Sequence, residues 1–339
     1  ALALAIMCGA AVALPVFSVF ASFWRGGASA DTLQHLTATV IPSALLETSL
    51  LGLAVVVGVV AVGAATGWLV ATCEFLGRRT FEWALLLPLA MPAYIVAYAY
   101  TDYLQYAGPL QTTLRDSFQW QRGDYWFPEI RSLGGAAFVF IVVLYPYVYL
   151  LARTAFLART AAMMDAARSL GQTAWQTWWR VNLPLARPAI AAGALLALME
   201  TLADYGAASY FGLQTFTTSI YRAWFSLGDR LAASQLAAVL LLLVLMLFFI
   251  EHRVRGRARF FTPTASQRPA ARTQLRGRRS AGALALCALP VALGFVVPVL
   301  LLLRLLGPAW QAVAWARYAR WLANTLSIGV AAALVALVW

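Results

Sequence analysis

Runs of about twenty apolar residues recur from one end of this chain to the other, each long enough to cross the roughly 30 Å hydrocarbon core of a bilayer as a helix. They cover Leu2–Phe23, Ser43–Cys73, Phe81–Leu104, Gly134–Phe156, Ala189–Ala208, Leu231–Ile250 and Gly282–Leu303, and a further one passes Asn324 and reaches Trp339. Lipid offers no water to backbone N–H and C=O groups, so such runs must close their hydrogen bonds within themselves. The fold class that follows is an all-α polytopic membrane protein. Only 11% of the 339 residues are charged, against about a quarter in soluble domains, and 62% are hydrophobic, which excludes an ordinary soluble domain.

The first run has a competing reading as a cleaved leader, because Ala28-Ser29-Ala30 places small residues behind it. Its apolar part is longer than a leader's core and no basic residue precedes it, so a retained helix kinked at Pro15 is expected. In the second run Gly63-Ala-Ala-Thr-Gly67 forms a GxxxG, which predicts close helix packing. The third is interrupted by Pro88 and Pro92, places for the span to bend. The Trp- and Phe-bearing stretch from Gln105 to Leu133 is expected to be a small folded cap.

The net charge is +12, and all 25 basic residues are arginine. Without lysine there is no Gly-Lys-Ser/Thr P-loop, so nucleotide energy has to arrive from another polypeptide and the chain is not expected to be an enzyme. The arginines lie between apolar runs, which argues for membrane topology and against a nucleic-acid partner. Cys8, Cys73 and Cys287 sit in or beside apolar runs without a Cys-x-x-Cys pair, and His35 and His252 stand apart from them. No metal site and no cofactor are expected.

Between the fourth and fifth runs, Met164 to Pro188 is polar and flanked by basic residues. Asp165 falls in the first turn of a short helix ending at Leu170, where the helix dipole favours an acid, and Gly171 supplies a left-handed stop. Thr173 is placed to cap a second helix carrying Trp175, Trp178 and Trp179 on one face, and Pro184 and Pro188 are expected to break or redirect the chain. The product is an amphipathic elbow along a membrane surface. On residue chemistry alone, a tryptophan-anchored interfacial helix is an equal reading.

Two further groups carry chemistry. Glu200 and Asp204 stand one helical turn apart in the fifth run, where a carboxylate must face a polar cavity or a partner. They line a pathway for a cation, or they hold loop backbone or an arginine such as Arg222. Tyr94, Tyr98 and Asp102 share a face near the end of the third run. Their oxygens suit a hard cation such as ferric iron, and the tyrosines equally suit an aromatic belt.

Asp165-Ala166-Ala167, then Gly171, then nine residues, then Val181-Asn182-Leu183-Pro184, resembles the E-A-A-x-x-x-G-x9-I-x-L-P loop of ABC-importer permeases. Asp for Glu and Val for Ile preserve charge and apolarity. The resemblance implies that Asp165, Ala166, Ala167, Gly171, Val181, Leu183 and Pro184 form the docking surface for a cytoplasmic ABC ATPase. It further implies a multi-pass protein of the bacterial inner membrane, surrounded by lipid and served by a periplasmic substrate-binding protein, which moves substrate by alternating access. With the elbow inside, Arg78, Arg79, Arg153, Arg159, Arg168, Arg180, Arg187 and the nine arginines from Arg253 to Arg279 share its side, in keeping with the positive-inside rule.

Leu85-Leu-Leu-Pro-Leu-Ala-Met-Pro-Ala-Tyr94 and Leu198-Met-Glu-Thr-Leu-Ala-Asp-Tyr-Gly206, continuing through Tyr210 to Trp224, are similar to the ferric-iron uptake permeases of bacteria, which often fuse two permease units. Permeases for sulfate, polyamines, thiamine and phosphonate are neighbouring families. An ion-coupled secondary carrier would explain the two acids but not the docking spacing, and a membrane enzyme would need a nucleophile and base that are not seen. Asn324-Thr-Leu-Ser-Ile-Gly329 echoes Glu47-Thr-Ser-Leu-Leu-Gly52, as Pro298 echoes Pro15. The expected organisation is a permease unit of six spans at 1–255 with its elbow at 164–188, an Arg-rich cytoplasmic linker at 256–281, and the first two helices of a second unit at 282–339. The pattern predicts a fragment of a longer, duplicated protein.

Overall fold

The computed structural model describes residues 2–22, 36–121, 123–158, 163, 166–167, 169–255, 271–310 and 314–338. They are overwhelmingly helical, and the chain divides into two compact units, Ala1–Pro298 and Val299–Trp339. Six helices among the described residues are long and apolar enough to cross a membrane, and a bent pair supplies a seventh crossing if taken as one span.

The first unit begins with α1 (Leu2–Ala21), which contains Pro15, and α2 (Ile41–Thr72), entered through a π-turn at Leu36–Val40. The third crossing is broken where its prolines stand. Helix α3 (Arg78–Ala84) gives way to a 3-10 turn at Leu87–Ala90 and then to α4 (Ala93–Leu104), with an 85° bend between the two limbs. Pro88 inside that turn and Pro92 just after it withhold N–H donors, so the helical ladder cannot run through it.

The stretch after α4 is folded, as expected. Helix α5 (Pro109–Phe118) turns back so that Arg115 lies 4.1 Å over the Tyr106 ring. Gln111 Nε2 donates to the Leu104 carbonyl at 2.7 Å, and the Tyr125 hydroxyl donates to Gln111 Oε1 at 2.7 Å. Phe118, Trp120 and Tyr125 stack in succession.

Helix α6 (Leu133–Leu157), capped by the Ser132 hydroxyl, is the most buried span and the centre of the unit. It packs along α2 through the GxxxG. A Cβ on Gly63 would sit 2.8 Å from the Tyr145 carbonyl oxygen, and one on Gly67 would sit 3.2 Å from that of Tyr149, so only glycine lets the two backbones approach this closely.

After the elbow come α7 (Ala174–Thr177), a π-turn at Trp178–Asn182 and α8 (Leu183–Ala203). Two short helices, α9 (Gly206–Tyr210) and α10 (Phe216–Tyr221), lead through another π-turn to α11 (Arg230–Arg255).

The described end of the stretch expected to be a linker lies against the end of α2. Thr273 and Gln274 pair in parallel with Cys73 and Glu74 at the end of α2, Leu275 N–H donates to the Glu74 carbonyl at 2.9 Å, and Leu76 N–H donates to the Ser280 hydroxyl at 3.3 Å. An ionic knot reinforces this corner. Arg78, only 6% exposed, pairs with Glu74 at 3.0 Å and with Glu82, while Arg153 reaches Glu82 at 3.3 Å and Arg272 reaches Glu74 at 3.8 Å.

Helix α12 (Arg278–Val291) and the π-turn that follows it belong to the same compact unit, although the sequence reading set 282 onward at the head of a second one. Cys287 is fully buried, and the Tyr100 hydroxyl donates to the Leu293 carbonyl at 2.6 Å. The Tyr100 bond ties the turn after α12 to α4. In the second unit, Trp315–Val338 forms one helix, α13, with its described side chains exposed.

Candidate functional site: the elbow and the opposite face

The elbow is built by two end-caps set back to back. Gly171 has φ +72°, the left-handed stop expected of it. Gln172 N–H donates to the Ala167 carbonyl at 3.1 Å, the long-range bond of a Schellman motif. Thr173 then starts the next helix: its hydroxyl accepts from Gln176 N–H at 3.3 Å, and Gln176 Oε1 accepts from Thr173 N–H at 2.9 Å. This is a reciprocal capping box, and the Thr-x-x-Gln spacing that announces it was the signal sequence reasoning missed. Ala167 is buried whereas Ala166 and Gly171 are exposed, and Asp165 lies outside the described residues.

Pro184 and Pro188 do not break the chain. Helical structure runs from Ala174 to Ala203, with Pro184 in the first turn of α8 and Pro188 inside it. A proline ring in a helix collides with the carbonyl four residues back, here that of Arg180. The wide π-turn at Trp178–Asn182, closed by Leu183 N–H on the Trp178 carbonyl, relieves that crowding without ending the helix. Val181, Leu183 and Pro184 therefore lie half-buried on a rigid extension of the fifth span. Trp178 meets Trp68 of α2 edge-on at 6.3 Å, and Trp179 packs edge-on against Trp178 at 4.6 Å.

At the other end of the spans, Glu200 and Asp204 do not share a helical face. Helix α8 stops at Ala203, and Asp204 is extended at ψ 118°. Its Oδ1 accepts Ala207 N–H at 2.6 Å and its carbonyl accepts the Thr217 hydroxyl at 3.1 Å, so it organises the entry to α9. The turn chemistry of Asp-Tyr-Gly outweighs the apolar run here, and the fifth span is shorter at this end than expected. Burial pushes the Asp204 carboxyl above its usual range, against the pull of the Ala207 and Ala208 N–H groups. Glu200 is exposed, still within α8.

Tyr94 and Tyr98 do share a face of α4, both exposed, and Asp102 is half-buried one turn on. Tyr98 meets Tyr210 of α9 edge-on at 6.1 Å, and Arg131 lies 5.4 Å over the Tyr210 ring. The structure thus gathers Tyr94, Tyr98 and Asp204 around α9 and leaves Glu200 further down the span. Among the described residues no three His, Cys, Asp or Glu side chains are grouped to hold a metal ion.

Three further residues organise this end and carried no advance signal. Glu47 Oε2 accepts Gln214 N–H at 2.6 Å, the Thr48 hydroxyl accepts Phe216 N–H at 3.2 Å, and Asp229 Oδ1 accepts Ala232 N–H at 2.9 Å. Arg222 lies between two cavities of 570 and 500 Å3, and Ser209 and Thr218 line both with it.

Residues 63–259, which contain the GxxxG, the bent span, the elbow and Glu200, match the family described as the binding-protein-dependent transport system inner membrane component. The chain belongs to that family. Within it, the chain is 26% identical over 213 residues to the Fe(3+)-transport system permease protein FbpB 2 of Haemophilus influenzae, an alignment covering 63% of this chain and 38% of that protein. It is 28% identical over 210 residues to the putative molybdenum transport system permease protein YvgM of Bacillus subtilis, covering 59% and 88%. The chain thus spans less than half of the ferric relative's length and most of the molybdenum one's.

Solved structures carry the same fold. A bacterial alginate ABC transporter, in complex with an alginate-bound periplasmic protein, matches with a TM-score of 0.58 at 15% identity, over 76% of this chain and 94% of that one. The inward-facing methionine transporter MetNI matches with a TM-score of 0.51 at 16% identity, over 68% and 100%. A binding-protein-dependent inner-membrane component with this many crossings is a multi-pass membrane permease.

Proposed function

We propose that the chain is the transmembrane permease of an ATP-driven importer, and that the elbow from Asp165 to Pro184 is where a separate cytoplasmic ATPase docks. The observation that carries this reading is the elbow's construction: a Schellman stop at Gly171 abuts a capping box at Thr173, and the second limb continues without a loop into α8. A push on such an elbow is delivered to the fifth span rather than lost in flexible chain. A periplasmic binding protein would deliver substrate to the opposite face, where Phe225 is 73% exposed beside Tyr221 and Trp224. Alternating access then follows if ATP-driven closure of the ATPases favours one arrangement of the spans over the other.

The cargo on this reading is a small inorganic ion, with ferric iron first. Relatives named for ferric iron, molybdenum and sulfate support the class. Glu200 supports a cation, since an exposed carboxylate within a span is tolerated where it faces a polar passage, and Tyr94, Tyr98, Asp102 and Asp204 would extend that passage outward. One observation favours an oxyanion instead: Arg222 shares its two cavities with several hydroxyl side chains, a donor set suited to molybdate or sulfate. Reconstituting the permease with its ATPase and binding protein, then measuring ATP-dependent uptake of radiolabelled iron, molybdate and sulfate, separates the readings. Uptake of none of them, with the ATPase bound and active, would remove the inorganic-ion assignment.

A further inference from the structure

The elbow and the fifth span are joined by an unbroken helix, and that poses a mechanical question. If the elbow turns when its ATPase closes, something between Ala174 and Ala203 must yield. The backbone is weakest at the π-turn Trp178–Asn182, whose bonds span five residues and which is followed by Pro184, a residue with no N–H to donate.

Inside this turn lies a second, independent oddity. Asn182 is only 5% exposed, and its Oδ1 is buried with no hydrogen-bond partner. A buried amide oxygen without a donor costs stability, and an apolar side chain of similar shape would avoid that cost. Such a group calls for an explanation, and a second conformation that gives it a donor is one. The turn is also held on one side: Trp178, its first residue, rests edge-on against Trp68 of α2.

We propose that the π-turn Trp178–Asn182 is the joint of the elbow, and that Asn182 is its positioning residue, with its amide oxygen gaining a donor in the other state of the transport cycle. A π-turn is one extra residue in a helix, so moving it along the helix rotates the residues it passes by roughly 100°, the angle of one residue in a 3.6-residue turn. Migration of the turn toward Ala174 therefore rotates the residues it passes in the docking limb against α8, with the helical ladder kept on either side. Trp178 rocking on Trp68 would convey that rotation to α2. The inference rests on the docking reading given above.

The test uses the full chain with its ATPase and binding protein in lipid nanodiscs and proteoliposomes. Spin labels at the exposed Leu170 and Leu196 report the distance across the turn. This distance should differ between nucleotide-free and ATP-trapped complexes, and an unchanged distance overturns the joint. Asn182→Leu should keep ATPase co-purification and a thermal midpoint equal to or above wild type, hydrolyse ATP, and lose uptake at least tenfold. Uptake at the wild-type rate overturns the role of Asn182. Should Asn182→Leu fail to insert, the smaller Asn182→Ala must show the same split between hydrolysis and uptake, and normal coupling in it overturns the proposal. Failure of the wild-type chain to retain the ATPase is read before any variant is made; it removes the docking reading and this inference with it.

Discussion

Gln172 N–H reaches back to the Ala167 carbonyl across Gly171, and this single 3.1 Å bond sets the angle between the two limbs of the elbow. The bond requires Gly171 at φ +72°, where a β-branched residue is strained by at least about 1–2 kcal/mol. An added Cβ there meets no neighbour, so the strain is in the backbone alone. Gly171→Val should leave membrane insertion intact and weaken retention of the ATPase by tenfold or more in pull-down titrations. Wild-type retention would separate the limb angle from docking.

The GxxxG contact predicts a stability effect with no docking effect. Gly63→Leu pushes a side chain into the Tyr145 carbonyl and Val148, and overpacking of that kind costs about 1–3 kcal/mol. Thermal unfolding of the purified permease should show a lowered midpoint. A midpoint equal to wild type would mean that α2 and α6 are less closely set than described.

At the ionic knot the central and outer arginines, Arg78 and Arg272, should behave differently. Removing Arg78 leaves Glu74 and Glu82 crowded at a corner where their main counter-charge is only 6% exposed, so Arg78→Ala should cost about 3 kcal/mol, the low end for breaking a buried pair. Arg272 is 37% exposed and pairs at 3.8 Å, so Arg272→Ala should cost less than about 1 kcal/mol. Equal losses in detergent unfolding would show that the linker contact matters as much as the buried one.

Asp204 predicts a pH effect whose sign follows from its raised carboxyl. An acid that binds its proton more readily folded than unfolded stabilises the fold as pH falls through the gap between the two pKa values, and carries a penalty above it. Asp204→Asn keeps an oxygen for Ala207 N–H while removing the charge. It should match or exceed wild-type stability near neutral pH, with the difference shrinking as the solution is acidified toward the ordinary carboxylate range. A variant that is less stable at neutral pH would show that the bond to Ala207 needs the charge.

Glu200 is the sharper probe of the proposed pathway, because it is exposed within a span and its carboxylate accepts no backbone N–H among the described residues. Glu200→Gln should leave assembly and unfolding unchanged and reduce uptake of a cation at least tenfold. Full uptake by this variant would eliminate the pathway role.

What could be read in advance followed from chemistry local to a few residues. Gly171 must stop a helix, Pro88 and Pro92 must interrupt one, and Gly63 and Gly67 must let a neighbour close. What could not be read depended on adjustments that leave no side-chain mark. Pro184 and Pro188 look like breakers, and the π-turn that accommodates Pro184 is a property of backbone geometry alone. By spacing Asp204 continues a helical face, until the Ala207 N–H competes for its oxygen. The docking of Thr273 and Gln274 beside Cys73 and Glu74 joins segments some two hundred residues apart, and no local pattern announces it.

The placement of Arg278–Pro298 within the first compact unit bears on how a gene for such a chain can be divided. A cut in the linker, the natural place by sequence, would leave the Tyr100 hydroxyl without the Leu293 carbonyl and strip the cover from Cys73 and Glu74. The two products would not be self-sufficient halves: the upstream polypeptide would depend on receiving a helix in trans from the downstream one. A split version should therefore need both pieces made together, and fusion in one reading frame secures that supply at equal dose.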